Sequence, residues 1–314
     1  MLISICIPCY NSSKTLNGVI DEVRSEFAKH PEHEYPIVLV NDGSKDNTFE
    51  VIRQLCSEDD RITGVNFSKN QGQSSAKMAA VNYAIGDCLV YMDDDGQHPA
   101  YGIFTLVGKL EEGYDVVYAK FSKKKHNAFK RITSNSKKKL AEMMGTKPKG
   151  VDTSPFCAWS RICIDAIKQY DSPFPSPNAY LRCVTDKFTD VEMEHRQRAA
   201  GHSGYTFKKM MGLWLTGFTN FSIVPLRMAS YLGTIIAFIG FIAGIIVAIR
   251  KIVHPTMAAG YASTICIMLF ISGIIMIMLG LIGEYIGRIY MILSRKPQYY
   301  VAEVIEAEYF SDHE

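Results

Sequence analysis

The first 120 residues alternate between short apolar runs and segments with apolar residues at helical spacing. Five runs have the length of buried strands: residues 2–7, 37–40, 62–67, 88–92 and 116–119. Helical spacing occurs between them, at residues 15–29, 49–55, 72–85 and 99–110. Strands that alternate with helices predict an α/β fold whose mostly parallel sheet is joined by right-handed crossovers.

Two long uncharged runs, residues 229–249 and 255–283, occupy much of the last third of the chain. The first has 21 residues. At about 1.5 Å per residue a helix of that length crosses a hydrocarbon layer of about 30 Å. We therefore expect two transmembrane helices, at about 229–250 and 262–285. The alternative, two buried core helices, is disfavoured because such runs exceed what a domain of this size can enclose.

Charged residues predict how this hairpin is oriented. Its outer flanks carry several basic residues: Lys208, Lys209, Arg227, Arg288, Arg295 and Lys296. By the positive-inside tendency, both flanks and the large domain face the cytoplasm. Residues 207–223 combine two lysines with many apolar residues, which indicates an amphipathic helix in the membrane interface or, alternatively, a core helix of the soluble domain.

These patterns divide the chain into four parts. We expect a cytoplasmic α/β domain over residues 1–206, an interface helix over 207–226, two membrane helices within 227–292 and a cytoplasmic tail over 293–314. The 34 basic and 32 acidic residues nearly balance, which disfavours nucleic acid as a partner. The eight cysteines are scattered and lack zinc-site spacing, so we interpret them as reduced thiols.

Polar clusters follow three of the predicted strands: Tyr10-Asn11, Asp42-Gly43-Ser44 and Asp93-Asp94-Asp95. In open α/β sheets, ligands bind outside the carboxyl ends of the strands. Adjacent carboxylates repel one another, and a Mg²⁺ or Mn²⁺ ion shared with a diphosphate would relieve that repulsion. A carboxylate such as Asp42 could accept the imide N–H of uracil. The alternative for the acidic triplet is a solvated turn.

Several motifs carry a family resemblance. ICIPCYN at 5–11, VNDGSKDNT at 40–48 and MDDDGQHP at 92–99 resemble family 2 glycosyltransferases of the GT-A fold. NQGQSSA at 70–76, HRQRAAGHSGY at 195–205, PLR at 225–227 and GEYIGRIY at 283–290 narrow the resemblance. They are similar to polyprenyl-phosphate glycosyltransferases, which include bactoprenol glucosyltransferases, the undecaprenyl-phosphate aminoarabinose transferase and dolichol-phosphate mannose synthase.

The resemblance implies roles for individual residues. Asp42 would take the base, Asp93 the ribose or the metal, Asp95 the metal, and Gln97 would lie near the donor sugar. The other residues implied in nucleotide-sugar binding are Pro8, Tyr10, Asn11, Gly43, Ser44, Ser75 and Asp94. The implied cofactor is Mg²⁺ or Mn²⁺. The chain departs from the family at three positions. The family usually has Asp at the position of Asn41, an acidic residue at that of Asn11, and often Asp or Asn at that of His98.

The acceptor implied by the resemblance is a lipid phosphate, which needs cations around it. Nine Lys or Arg residues lie between Lys120 and Lys139. Among them we assign Lys130 and Arg131 to the acceptor phosphate. We also count Arg131 as a catalytic residue, together with Asp93, Asp95 and Gln97. The other expected phosphate ligands are Arg196, Arg198 and Ser203, because arginine forks suit phosphate. The alternative for the basic run at 120–139 is a solvated loop. The alternative for Arg196, Arg198 and Ser203 is a surface strand pair.

The expected activity is inverting transfer of a hexose or related sugar from a UDP-sugar to undecaprenyl phosphate. The reaction would take place at the cytoplasmic leaflet of the inner membrane and supply a lipid-linked sugar for envelope glycans. One alternative is a GDP-mannose-dependent mannose synthase, and another is a catalytically silent nucleotide-sugar-binding membrane partner. Expected associations are a homo-dimer or tetramer, a flippase and a periplasmic transferase.

Overall fold

The computed structural model describes residues 1–121, 148, 150–193 and 260–309, with separate positions between 231 and 253. The chain divides into two units. The first joins Met1–Thr206 to Pro297–Glu314, and the second is Phe207–Lys296. Residues that follow the predicted membrane segment thus belong to the same unit as the N-terminal domain.

The first nine elements of the first unit confirm the strand–helix alternation predicted from periodicity. The strands are β1 (Ile3–Cys9), β2 (Ile37–Asn41), β3 (Ile62–Phe67), β4 (Cys88–Tyr91) and β5 (Val116–Phe121). The helices between them are α1 (Leu16–Phe27), α2 (Thr48–Glu58), α3 (Gln73–Asn82) and α4 (Gly102–Glu111).

Five later elements of this unit lie in the described residues, and none of them is predicted from the periodicity of the sequence. They are β6 (Cys157–Ser160), α5 (Arg161–Lys168), α6 (Pro177–Val184), β7 (Phe188–Met193) and β8 (Val301–Ile305).

The described strands form one eight-stranded sheet in the order β7-β5-β6-β4-β1-β2-β3-β8. Its centre is parallel, because β1 pairs with β2 and β4, and β2 pairs with β3. However, β6 runs antiparallel to β4 and β5, and β8 runs antiparallel to β3. The sheet is therefore mixed, which corrects the expectation of a mostly parallel one.

Both faces of the central strands are buried, so the first unit has three layers. Along β1, Ile5 and Ile7 belong to an apolar cluster that also contains residues of α1, α2 and α4. Cys6 belongs to a second cluster, with residues of α3 and α5. Because β1, β2 and β4 are parallel, their carboxyl ends lie at one edge of the sheet. The polar residues that follow these strands are therefore brought together.

The second unit contains the helix α7 (Tyr261–Leu293). Its segment Ile271–Leu293 is long and apolar enough to cross a membrane, and it is the one such segment among the described residues. The predicted interface helix at 207–226 lies outside the described residues. So does most of the first predicted membrane helix, although the separate positions described between 231 and 253 are helical.

Candidate functional site

A cleft of about 410 Å³ opens at the carboxyl edge of the central strands. Six residues predicted from the sequence line it: Pro8, Tyr10, Asp42, Asp93, Asp94 and Asp95. The remaining lining residues are not among those predicted from the sequence: Cys9, Asn70, Gly72, Gln73 and Pro155. Three of these belong to the NQGQSSA motif, in which the family resemblance implies a role for Ser75 alone.

The turn after β1 places an aromatic ring at the cleft. The Tyr10 side chain is 45% exposed there. The next residue, Asn11, has a φ of 56°, a left-handed conformation that asparagine tolerates better than most residues. Its amide donates to Ser44 Oγ (3.0 Å), and its Oδ1 accepts the Lys45 amide (2.8 Å). These bonds tie the turn after β1 to the turn after β2.

Asp42, at the end of β2, holds the loop that precedes α3. Its side chain accepts hydrogen bonds from the backbone amides of Gln71 (2.6 Å) and Gly72 (2.9 Å). Asn70 Nδ2 donates to the same carboxylate (3.1 Å). Asp42 is 4% exposed, and burial raises the pKa of its carboxyl against the effect of the two amides. The candidate base ligand is therefore also the anchor of residues 70–72.

The two residues after Asp42 shape the backbone of this turn. Gly43 has a φ of 60°, and a Cβ there would lie 2.3 Å from the Asn70 backbone nitrogen, so only glycine fits. Ser44 Oγ donates to Asn41 Oδ1 (2.5 Å), and Asn41 Nδ2 donates to Asn66 Oδ1 (2.8 Å). Asn41 thus links β2 to β3. Contact of Gly43 or Ser44 with a nucleotide stays a prediction.

The three adjacent aspartates after β4 have different surroundings. Asp94 accepts hydrogen bonds from the Tyr10 amide (3.0 Å) and from Ser12 Oγ. Burial raises the pKa of the Asp94 carboxyl, and the neighbouring Asp93 carboxylate adds to that rise. All three aspartates are partly exposed and line the cleft. The hydrogen bonds of Asp94 show that it supports the turn after β1, so Asp93 and Asp95 are the better candidates to meet a ligand.

His98 fixes the backbone of Asp93 from beneath the cleft. Its Nδ1 accepts the Asp93 amide N–H (2.9 Å), and its Nε2 lies 3.8 Å from Asp93 Oδ2. The ring is 5% exposed and stacks on Phe156 and Phe121, with centroids 4.9 and 5.7 Å away. A histidine at this position therefore works as a buried hydrogen-bond acceptor that positions Asp93.

Asp93 and Asp95 fit a divalent cation that is shared with a substrate. Gln73 Nε2 donates to Asp93 Oδ1 (3.2 Å), and the Gln97 amide donates to Asp95 Oδ1 (3.0 Å). In the part of the chain that the structure describes, no group of three or more His, Cys, Asp or Glu residues could hold a metal. Mg²⁺ characteristically takes one or two carboxylates and completes its shell with phosphate oxygens and water.

The remaining predicted site residues fall into two groups. Ser75 is buried on α3, and its hydroxyl donates to the Gln71 carbonyl (3.0 Å), so it supports the same loop as Asp42. The acceptor-site predictions lie outside the described residues: Lys130, Arg131, Arg196, Arg198 and Ser203. Their roles stay predictions.

Comparison with known proteins places this geometry in a family. Residues 4–165, which include the whole cleft, match the model of glycosyl transferase family 2. The chain belongs to this family. Residues 224–289 match a second model, described as the GtrB C-terminal hairpin. The protein is therefore a family 2 glycosyltransferase with a C-terminal hairpin segment.

Relatives resemble this family 2 glycosyltransferase over nearly its whole length. The glycosyltransferase YkcC of Bacillus subtilis (strain 168) is 35% identical and aligns over 95% of this chain and 92% of its own. The prophage bactoprenol glucosyl transferase homolog of Escherichia coli (strain K12) is 32% identical, over 97% and 99%. The undecaprenyl-phosphate 4-deoxy-4-formamido-L-arabinose transferase of Proteus mirabilis (strain HI4320) is 30% identical, over 96% and 94%. The resemblance predicted from the motifs is confirmed.

Proposed function

We propose that this glycosyltransferase transfers a sugar from a UDP-sugar to undecaprenyl phosphate at the cytoplasmic leaflet of the inner membrane. The observation that carries the proposal is the cleft. It brings an exposed aromatic ring, the buried Asp42 carboxylate and the Asp93–Asp95 pair to one edge of the sheet. The names of the Escherichia coli and Proteus mirabilis relatives support the lipid acceptor.

Asp42 favours uracil over guanine as the donor base. An ionised carboxylate has about four acceptor positions. Among the described residues, three groups already donate to Asp42: the Gln71 and Gly72 amides and Asn70 Nδ2. The Gly72 amide is shared between both carboxylate oxygens (3.1 and 2.9 Å), so these donors already make four contacts with Asp42. The single imide N–H of uracil would have to share or displace one of them. Guanine presents an N1–H and an amino group side by side and would need two acceptors. The exposed Tyr10 ring is available to stack on the base.

The acceptor supplies its own nucleophile. A phosphate monoester has a second pKa of about 6, so it is largely a dianion at neutral pH and needs no strong general base. Lys130, Arg131, Arg196, Arg198 and Ser203 would hold this phosphate in line with the anomeric carbon. A divalent ion held by Asp93 and Asp95 would stabilise the departing diphosphate. Single-step attack inverts the anomeric centre, so a UDP-α-sugar gives a β-linked lipid.

A two-helix membrane hairpin would keep the domain beside this lipid. Three observations support it: the hairpin-model match at 224–289, the apolar segment Ile271–Leu293, and a contact within the second unit. The contact joins Gly233, in the first predicted membrane helix, to Met278 on α7. A Cβ built on Gly233 would lie 3.5 Å from Met278 Cε, as expected for two packed helices. The proposal also includes the amphipathic helix at 207–226 and a homo-dimer or tetramer. A flippase and a periplasmic transferase are its proposed functional partners.

A transfer assay with the purified full-length protein tests this function. With undecaprenyl phosphate and Mn²⁺, we expect one radiolabelled UDP-sugar to pass its label into organic-extractable lipid. Excess EDTA should stop the reaction and added Mn²⁺ should restore it, while undecaprenol without phosphate should accept nothing. Label transferred only from GDP-mannose would favour the mannose synthase. UDP binding without transfer from any nucleotide sugar would favour the catalytically silent partner.

Removing the hydrogen-bond acceptor of His98 should weaken metal use. His98→Phe keeps an aromatic ring between Phe121 and Phe156 but leaves the Asp93 amide without its acceptor. We expect the Mn²⁺ concentration for half-maximal transfer to rise by about tenfold or more, as for other groups that orient metal ligands. The matched variant His98→Asn retains an acceptor and should change this concentration less. Equal Mn²⁺ requirements in His98→Phe and wild type would contradict the positioning role.

A further inference from the structure

The chain returns to the donor cleft after α7. Gln298, Tyr299 and Tyr300 precede β8 and lie beside the end of β3 and the loop that precedes α3. The Tyr300 amide donates to Gln71 Oε1 (3.0 Å), and Gln71 Nε2 donates to the Tyr300 carbonyl (3.1 Å). The Gln71 side chain therefore pairs with the backbone of Tyr300 in both directions, as a neighbouring strand would.

Further contacts hold this C-terminal segment in place. The Ser68 amide also donates to the Tyr300 carbonyl (3.1 Å). The Tyr299 ring stacks on Phe67 with centroids 5.2 Å apart, and Asn82 Nδ2 donates to its hydroxyl (2.5 Å). Directly afterwards, β8 pairs with β3. Residues 298–300 therefore offer a fixed support to the loop beside them.

Gln71 bonds to Asp42 through its backbone amide, while its side chain bonds to the C-terminal segment. Its amide makes the 2.6 Å hydrogen bond to Asp42 Oδ1, the carboxylate expected to read the base. The loop around it has no regular secondary structure, and Gly72 has a φ of 92° that few other residues adopt. The position of this loop therefore depends on the side-chain bonds that hold it.

We propose that Gln71 is a positioning residue for the donor base, and that residues 298–300 form part of the donor-site framework. The inference rests on the proposed function. The C-terminal segment fixes the Gln71 side chain, the Gln71 amide fixes the Asp42 carboxylate, and that carboxylate receives the uracil imide. The binding of UDP thus depends on residues that come after the apolar helix in the sequence.

Gln71→Ala in the full-length protein tests the proposal. We expect the dissociation constant for UDP and the KM for the donor to rise together, by about five- to tenfold, because two hydrogen bonds to Tyr300 are lost. The KM for undecaprenyl phosphate should stay unchanged. Hydrogen exchange of the Gln71→Ala protein without ligand should show faster exchange at the Gly72 amide than in wild type.

Two further variants sharpen the test. Arg53→Ala removes a 3.0 Å ion pair with Glu303 on β8, distant in sequence from the loop, and should leave UDP binding within about twofold of wild type. Gln71→Glu keeps an acceptor for the Tyr300 amide but faces the Tyr300 carbonyl with a second oxygen, so it should weaken UDP binding as well.

The outcomes separate this inference from the proposed function. Wild-type UDP affinity in Gln71→Ala would overturn the inference alone, because transfer by the wild-type protein would still stand. Equal losses of donor affinity, acceptor affinity and thermal stability would also overturn it, since they indicate general destabilisation. A wild-type protein that binds no UDP would overturn both.

Discussion

Asp95→Asn is expected to lower sugar transfer by at least about a hundredfold. The substitution removes a negative charge from the pair of cleft carboxylates proposed to share a divalent ion with the donor diphosphate. Losing several kcal/mol of stabilisation on the leaving group corresponds to two or more decades in rate, at about 1.4 kcal/mol per decade. The measurement is the initial rate of labelled lipid formation at saturating Mn²⁺.

Asp21→Asn is the matched control for this prediction. It makes the same change of charge on α1, where the side chain is 71% exposed and pairs with Arg24 at 3.6 Å, so transfer should remain close to wild type. Two results would contradict the metal proposal. One is full transfer by Asp95→Asn, and the other is undiminished transfer by the wild-type protein in excess EDTA.

Asp42→Ala is expected to reduce both stability and donor binding. Without the buried carboxylate, the partly buried Gln71 and Gly72 amides lose their acceptor. A fully buried unsatisfied donor costs about 1–3 kcal/mol, so for these two partly exposed donors the free energy of unfolding should fall by about 2–4 kcal/mol. At about 2–4 °C per kcal/mol for a domain of this size, the thermal midpoint should drop by several degrees.

Asp42→Asn separates the two roles of this residue. Asparagine retains one acceptor oxygen for the loop amides, so its thermal midpoint should lie between those of wild type and Asp42→Ala. The side-chain amide nitrogen of asparagine cannot accept a hydrogen bond from the uracil imide N–H. UDP binding should therefore still weaken. Calorimetric titration with UDP and a thermal unfolding scan measure the two effects. Unchanged UDP affinity in Asp42→Asn would contradict base recognition by this carboxylate.

The elements up to β5 could be predicted because their signals are local. Each strand is a short apolar run, and each helix carries apolar residues three or four positions apart. The strand β7 gives no such signal, because most of its residues are only partly buried. The pairing of β8 is non-local: Val304 lies opposite Val65, on a strand almost 240 residues earlier. Periodicity contains no information about partners so far apart.

The location of the site could also be predicted, but the orientation of its side chains could not. Residues that follow parallel strands must share an edge, so Tyr10, Asp42 and the acidic triplet were expected to meet. Beyond the strand end, the alternation of side chains no longer applies. For that reason the sequence did not reveal that Asp94 bonds to Ser12 and Tyr10, or that His98 holds the Asp93 amide.

The late position of β8 has a consequence for biosynthesis. The ribosome makes β3 long before β8, because α7 and many other residues lie between them in the chain. Until then the nascent chain carries β3 with one open edge, and exposed edges of this kind promote aggregation. The domain can therefore complete its sheet only after the apolar helix has been synthesised, so formation of the whole sheet is coupled to the synthesis of α7.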